Sequence, residues 1–359
     1  MQWKRILCGL LCGTLLCGCT PMTQTAVTKS SEKLELVTTL FCYYDFARAV
    51  LKNTDTITIN LLLSPGMESH SFEPAPSDIL AIQNADIFVY NGGHMEHWVE
   101  AVLESDEQSH PDRIIRCMMD FAPLLEETEL EGSELEHDHD HDHNHDHEHE
   151  TGETHEMQDD HDHEDTETCT DPSHDHSHDG ESDIEYDEHI WTSPKIAKDL
   201  LYVVCNAICE ADPANAAIYR KNADAYAAEL KTLHEDFTAY FSEPEHQTLL
   251  FADRFPLQYF ANTYDLHCYA AFSGCSSDTE PSVATISHLM KLAETYHLSK
   301  VYYLEVSSPS VANVISEQTG AVPTIFQSCH TITQTDFDNG ETYVSLMRRN
   351  LQALQNEPK

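Results

Sequence analysis

Between residues 34 and 90 the apolar side chains recur in two alternating rhythms. β-Branched and leucine runs at 34–40, 57–63 and 87–90 are bounded by polar breaks and predict strands, while 44–51 and 77–83 carry helical spacing. Strand, helix, strand in repetition predicts a parallel sheet covered by helices. The rhythm stops at 126–188, which is His, Asp and Glu with almost no apolar residues. It cannot bury enough surface to fold by itself, so a long mobile insertion is expected there.

Pattern resumes at Trp191. Residues 194–209 read as a helix, and a second begins beyond Asp212, with Asp as N-cap and Pro213 at the first helical position. Apolar positions at Tyr219, Tyr226, Leu230 and Phe237 carry that helix to about Tyr240, roughly eight turns at 3.6 residues each, a length suited to a strut. Past Pro244 come strands at 248–252, 266–270, 301–305 and 322–326, with helices near 256–262, 282–296, 309–317 and 342–354. The expected fold is therefore α/β, with two similar lobes of parallel sheet flanked by helices and joined by one long rigid helix. The lobes are placed at 34–212, holding the insertion 126–188, and at 243–359, with the linking helix at 213–242.

The first residues change the picture of where the chain works. Met1-Gln2-Trp3-Lys4-Arg5 followed by an apolar run from Ile6 to Leu16 is the charged and hydrophobic pair of regions of an export signal, too short to span a bilayer. Leu16-Cys17-Gly18-Cys19 resembles a bacterial lipobox, which makes 1–19 a lipoprotein signal peptide and Cys19 the lipidated residue. Residues 20–33 are small and polar and suit a tether. An exported location permits disulfides. Cys275 with Cys329 is a candidate pair, whereas Cys205 and Cys209, four apart on a helix, read as two small buried side chains.

The chain has 359 residues, enough for two lobes, and a formal net charge of −44. No Lys or Arg lies between Arg116 and Lys195, so most of the excess is one acidic segment. Such a field repels phosphate backbones and attracts cations, which excludes nucleic acid as a partner and favours a metal ion. In the same segment His137, His139, His141, His143, His145, His147 and His149 alternate with acidic or amide residues. Neutral imidazole is the commonest protein ligand for zinc, copper and nickel, and interleaved carboxylates can hydrogen-bond the second ring nitrogen. Weak binding of several ions is expected of this tract, since ordering a flexible chain costs entropy.

Two further histidines stand in ordered context. His70 lies in Ser64-Pro65-Gly66-Met67-Glu68-Ser69-His70-Ser71-Phe72-Glu73-Pro74, between a strand and a helix, where open α/β sheets bind ligands. His189 lies in Asp187-Glu188-His189-Ile190-Trp191-Thr192-Ser193-Pro194, just ahead of a helix. Together these stretches resemble the two motifs, Pro-Gly-x-x-x-His-x-(Tyr/Phe)-Glu-Pro and Asp-x-His-x-Trp-x-x-Pro, of the substrate-binding lipoproteins of zinc and manganese ABC importers. In that family each motif supplies a metal-binding histidine, here His70 and His189, and a His-rich acidic loop between them is a feature of the zinc-handling members. The resemblance covers nearly the whole chain from Leu34 onward.

The second lobe departs from the family pattern. Where a His or Glu ligand is implied shortly before a Tyr-Phe pair, this chain reads Phe251-Ala252-Asp253-Arg254-Phe255-Pro256-Leu257-Gln258-Tyr259-Phe260. The ligand position falls on Ala252 or Arg254, neither of which binds zinc, and Asp253 is the adjacent oxygen donor. The family's final Asp falls near Ser328-Cys329-His330, which brings in His330. Glu280 and Glu305 are further carboxylate candidates, with helix capping or pairing to Arg254 as their structural alternatives. The expected metal set is therefore His70, His189 and His330 with Asp253 or Glu280, a mixed set that zinc accepts. His94 and His97, beside Gly92-Gly93, stay outside it.

The resemblance implies capture without catalysis: a monomeric, lipid-anchored receptor on the extracytoplasmic face of a bacterial membrane, which takes Zn2+ as its transported ligand and delivers it to an ABC importer permease. A surface zinc buffer or metal sensor without a transporter is the alternative. A metallohydrolase is a further one, although no His-Glu-x-x-His helix is present.

Overall fold

The computed structural model describes residues 33–105, 112–127, 186–274 and 281–356. The signal segment with Cys19, the histidine tract, Cys275 and Glu280 lie outside the described residues.

The first sheet takes β1 (Leu34–Thr38), β2 (Ile57–Leu61), β3 (Ile87–Tyr90) and β4 (Ile114–Cys117) in the spatial order β2-β1-β3-β4, with every neighbouring pair parallel. Leu36 of the central β1 lies opposite Ile59 on one side and Ile87 on the other. It is fully buried, because helices cover both faces of a parallel sheet. The covering elements include α1 (Phe41–Val50), α2 (Pro76–Asn84) and α3 (Trp98–Glu104). Helix α2 starts as its sequence prescribes: Pro76 needs no N–H partner in the first turn, and Asp78 accepts from the Ala75 amide at 2.9 Å.

The second sheet repeats the plan with β5 (Thr248–Phe255), β6 (His267–Ser273), β7 (Lys300–Leu304) and β8 (Val322–Phe326) in the order β6-β5-β7-β8. Around it lie α6 (Gln258–Tyr264), α7 (Val283–Thr295), α8 (Ser310–Thr319), the short α9 (Gln334–Asp338) and α10 (Tyr343–Gln355). In both sheets the winding reverses between two central strands, β1 and β3 or β5 and β7. In such sheets ligands bind beyond the carboxyl ends of the strands at that reversal. The β5 strand runs three residues past its predicted end at Ala252, through a register shift between Phe251 and Arg254.

Helices α4 (Pro194–Ala211) and α5 (Ala216–Phe241) lie between the sheets in sequence. Residues Pro213–Asn215 form a separate 3₁₀ turn, so α5 starts later than its sequence signal suggested. Its first half is tied to the first lobe: Asn222 donates to the carbonyls of Val50 and Lys52 at 2.9 and 2.8 Å, and the Tyr226 hydroxyl donates to Asp45. Its last turns are tied to the second, where Phe237 meets Phe260 edge to face and Tyr240 donates to the Leu354 carbonyl at 2.9 Å. One apolar cluster runs from Leu36 through α4 and α5 to Leu354, and residues 34–359 form one unit. Both sheets thus share one core, with the long helix spanning it.

The ends of the expected insertion belong to the fold. Glu126 and Tyr186 form an antiparallel bridge, and Asp187 and Glu188 are buried, although their composition places them with the acidic tract. Cys205 and Cys209 are buried free thiols with sulfurs 4.0 Å apart, the packing role expected of them. Among the described residues no helix is long and apolar enough to cross a membrane.

Candidate metal centre

His70 stands in the loop between β2 and α2, and His189 stands where the chain enters α4. Their Nε2 atoms face each other 3.4 Å apart. Two nitrogens bound to one tetrahedral zinc at about 2.0–2.1 Å are separated by about 3.3–3.4 Å, a spacing that this pair matches.

His189 is held from behind. Its amide donates to Asp187 Oδ1 at 2.8 Å, and the same oxygen lies 3.3 Å from its Nδ1. Asp187 is itself fixed by its own amide on the Leu125 carbonyl and by the Tyr259 hydroxyl on its carbonyl, each at 2.9 Å. Burial alone would lower the His189 pKa, but the Asp187 carboxylate outweighs it and the pKa is raised. The pKa of His70 falls instead to about 3, through burial first and then the neighbouring His189 and His330. A neutral His70 offers its lone pair to a cation across the whole neutral range.

His330 follows β8 in a turn that Glu305 builds. Glu305 Oε2 accepts the Ser328 amide at 2.9 Å, and Oε1 accepts the Ser328 hydroxyl at 2.8 Å and the Cys329 amide at 3.2 Å. Because the Ser328 proton goes to Glu305, Ser328 Oγ is left to accept from His330 Nδ1 at 2.6 Å. That fixes the tautomer and points the other ring nitrogen, Nε2, toward the cleft, which is how ligating histidines are oriented. The turn is also pinned to the first lobe. Phe41 N donates to His330 O at 3.1 Å, Gly66 N to Ile332 O at 2.7 Å, and the buried Trp191, edge-on to His189, gives its Nε1 proton to Ser328 O at 2.9 Å.

The carboxylate that reaches this group is Glu68, two residues before His70. Its Oε1 lies 3.5 Å from His330 Nε2 and its Oε2 lies 3.9 Å from the Arg254 guanidinium. Burial would raise the Glu68 pKa, yet His330, Arg254 and His70 together hold it well below the usual carboxylate range. Both Glu68 Oε1 and His330 Nε2 are buried without a hydrogen-bond partner, and orphaned acceptors of this kind suit a cation. Among the described residues no three His, Cys, Asp or Glu side chains are already gathered tightly enough to hold a metal ion.

Asp253 is occupied elsewhere. Its Oδ1 accepts the Arg254 amide at 2.8 Å and its Oδ2 the Leu304 amide at 2.9 Å, filling the gap where β5 parts from β7 beyond the Phe251–Tyr302 pair. Glu305 works behind His330, without meeting Arg254. Glu68 went unnoticed in the sequence although it sits inside the Pro-Gly motif; a carboxylate two residues from a ligand histidine was the available signal. His94 and His97 stack at 5.6 Å in an exposed turn, while the His94 and Met95 amides clamp Glu188.

The high-affinity zinc uptake system protein ZnuA of Bacillus subtilis (strain 168) is 29% identical over 356 residues, spanning 99% of this chain and 97% of that protein. The zinc-binding lipoprotein AdcA of Streptococcus pneumoniae (strain ATCC BAA-255 / R6) is 27% identical over 355 residues, but this chain spans only 61% of its length. Among solved structures, the Zn(II)-bound ZnuA-like domain of the same streptococcal AdcA superposes with a TM-score of 0.65 at 25% identity, covering 90% of this chain and 98% of that one. Residues 36–357 match the model of the ZnuA family, the zinc-uptake complex component A, periplasmic, and with both sheets, save the first two residues of β1, the linking helix and the three histidines inside that span, the chain belongs to this family.

Proposed function

We propose that this chain captures zinc outside the membrane and delivers it to an ABC-type importer, with His70, His189 and His330 as nitrogen ligands and Glu68 as the carboxylate. The observation that carries this reading is the convergence of the His70 and His189 Nε2 atoms at 3.4 Å from two loops 119 residues apart in the chain. Zinc enters as cargo. His70 presents a free lone pair, His189 gives up its proton, and Glu68 swings from Arg254 and His330 to the ion. Glu68 is preferred to Asp253 because both Asp253 oxygens already accept backbone protons.

Membership of a transport-receptor family supports capture over hydrolysis. The lipidated Cys19 would hold the fold at the outer face of the membrane, and the His137–His149 tract would raise the local zinc concentration at the cleft through tethering.

The test pairs two measurements. Metal-stripped protein should take up one tightly held zinc that is lost in His70→Ala, and a deletion strain should lose zinc uptake and regain it with the intact gene only. Tight binding with unchanged uptake would make the protein a buffer, and loss of the tight site from the intact chain would sink the assignment.

A further inference from the structure

Beside the histidine cleft lies a cavity of about 550 Å³ lined by Glu68, Asp253, Arg254, Ser307, Ser308 and Ser310, among others. It sits beyond the carboxyl ends of β5 and β7, the two strands between which the winding of the second sheet reverses. That is the ligand-binding position of an open α/β sheet, yet the three imidazoles do not line it. What it holds instead is a cation. Arg254 stands in the stretch where the family pattern implies a metal ligand, and it is always protonated.

Among the described residues the guanidinium has one acidic side chain within 4.0 Å, Glu68 at 3.9 Å, too far for a hydrogen bond. Asp253, its chain neighbour, has turned both oxygens to backbone amides. When Glu68 moves to the zinc, Arg254 is left facing the cavity beside a dication, without that counter-ion. A positive group in this place repels bare zinc and is stabilised by any anion that reaches both charges.

We propose that the cavity is a binding site for a small carboxylate that enters with the metal, one oxygen joining the three imidazoles and Glu68 as a fifth zinc ligand and the carboxylate held by Arg254. Guanidinium geometry matches a carboxylate in bidentate fashion, and Ser307, Ser308 and Ser310 line the same cavity. The cargo is then a zinc–carboxylate complex. This inference rests on the zinc site proposed above.

The test uses the full chain, stripped of metal, at a free zinc concentration fixed by a chelator buffer. The difference between the intact chain and His70→Ala isolates cleft binding from the tract. Malonate and acetate are the probes, with chloride at equal ionic strength as control. Malonate should tighten cleft binding of zinc by about tenfold or more in the intact chain and have no effect in Arg254→Gln, whose affinity for bare zinc is equal or higher. Arg254→Lys, which keeps the charge without the fork, should retain part of the response. Zinc binding that ignores malonate and acetate overturns the inference and leaves the zinc site standing. A response that appears only in Glu280→Gln also overturns it, because the chain's own carboxylate would then be the partner of Arg254. Absence of cleft zinc binding in the intact chain overturns both readings together.

Discussion

Ser328 gives its hydroxyl proton to Glu305 and takes one from His330, and this two-step relay decides which nitrogen of His330 is free. A buried carboxylate 2.8 Å from the serine thereby sets the chemistry of an imidazole it does not touch. Ser328→Ala leaves the His330 Nδ1 proton without its acceptor, and loss of such outer partners weakens metal binding by about 10–100-fold. Competition with a zinc chelator should show that loss, and Ser328→Thr should restore most of it.

His70→Ala removes a proposed ligand whose imidazole meets the facing His189 at 3.4 Å, a single weak contact, so its cost should fall mainly on the metal. Cleft affinity should drop by at least about 100-fold, beyond the loss of an outer partner, with little change in thermal midpoint. A large fall in the apo midpoint would mean that His70 is a packing residue.

Glu68→Gln and Asp253→Asn separate the two carboxylates. Because Asp253 serves backbone amides of β5 and β7, Asp253→Asn should lower stability by about 1–3 kcal/mol in urea unfolding. Glu68→Gln should instead weaken zinc binding by about tenfold or more and leave stability almost unchanged. The reverse pattern would return Asp253 to the ligand set.

Gly93 has a φ of +82°, and a β-carbon there would stand 2.6 Å from the Glu188 carboxyl carbon. The Gly93→Ala chain must adopt left-handed backbone and displace the carboxylate clamped by the His94 and Met95 amides, at about 1–3 kcal/mol. Since Glu188 directly precedes His189, zinc affinity should fall along with the unfolding midpoint. An unchanged midpoint would show that the turn is free to relax.

Glu96 is buried, and burial raises its pKa from 4.5 to about 7, with Gly92 N donating to Oε2 at 2.8 Å. A carboxyl that binds its proton more tightly when folded stabilises the fold at low pH, and this contribution is lost as pH rises from about 4.5 to 7. The full span corresponds to on the order of 3 kcal/mol. Urea titrations of Glu96→Gln should lack that part of the pH slope; an identical slope in both chains would locate the titration elsewhere.

Local patterning was enough to place the strands. The runs at 57–63, 87–90 and 322–326 became β2, β3 and β8 with ends shifted by at most two residues, because strand and helix periodicity is a property of neighbouring residues. The short β4 and α9 were missed, since four or five residues carry too little pattern to read. Composition also misled at Asp187 and Glu188, which look like the tail of the acidic tract and are in fact buried supports of the cleft.

By itself the sequence determined the α/β class, the doubled strand plan, the linking helix and the two histidines set in recognisable motifs. Only the tertiary structure decided that His70 and His189 meet, that Glu68 and not Asp253 reaches His330, and that Glu305 and Ser328 orient His330. The reason is physical. Periodicity and caps arise from interactions between residues a few positions apart, whereas a coordination site is a distance between side chains from distant parts of the chain, and that distance is set by how separate loops and elements pack on one shared core.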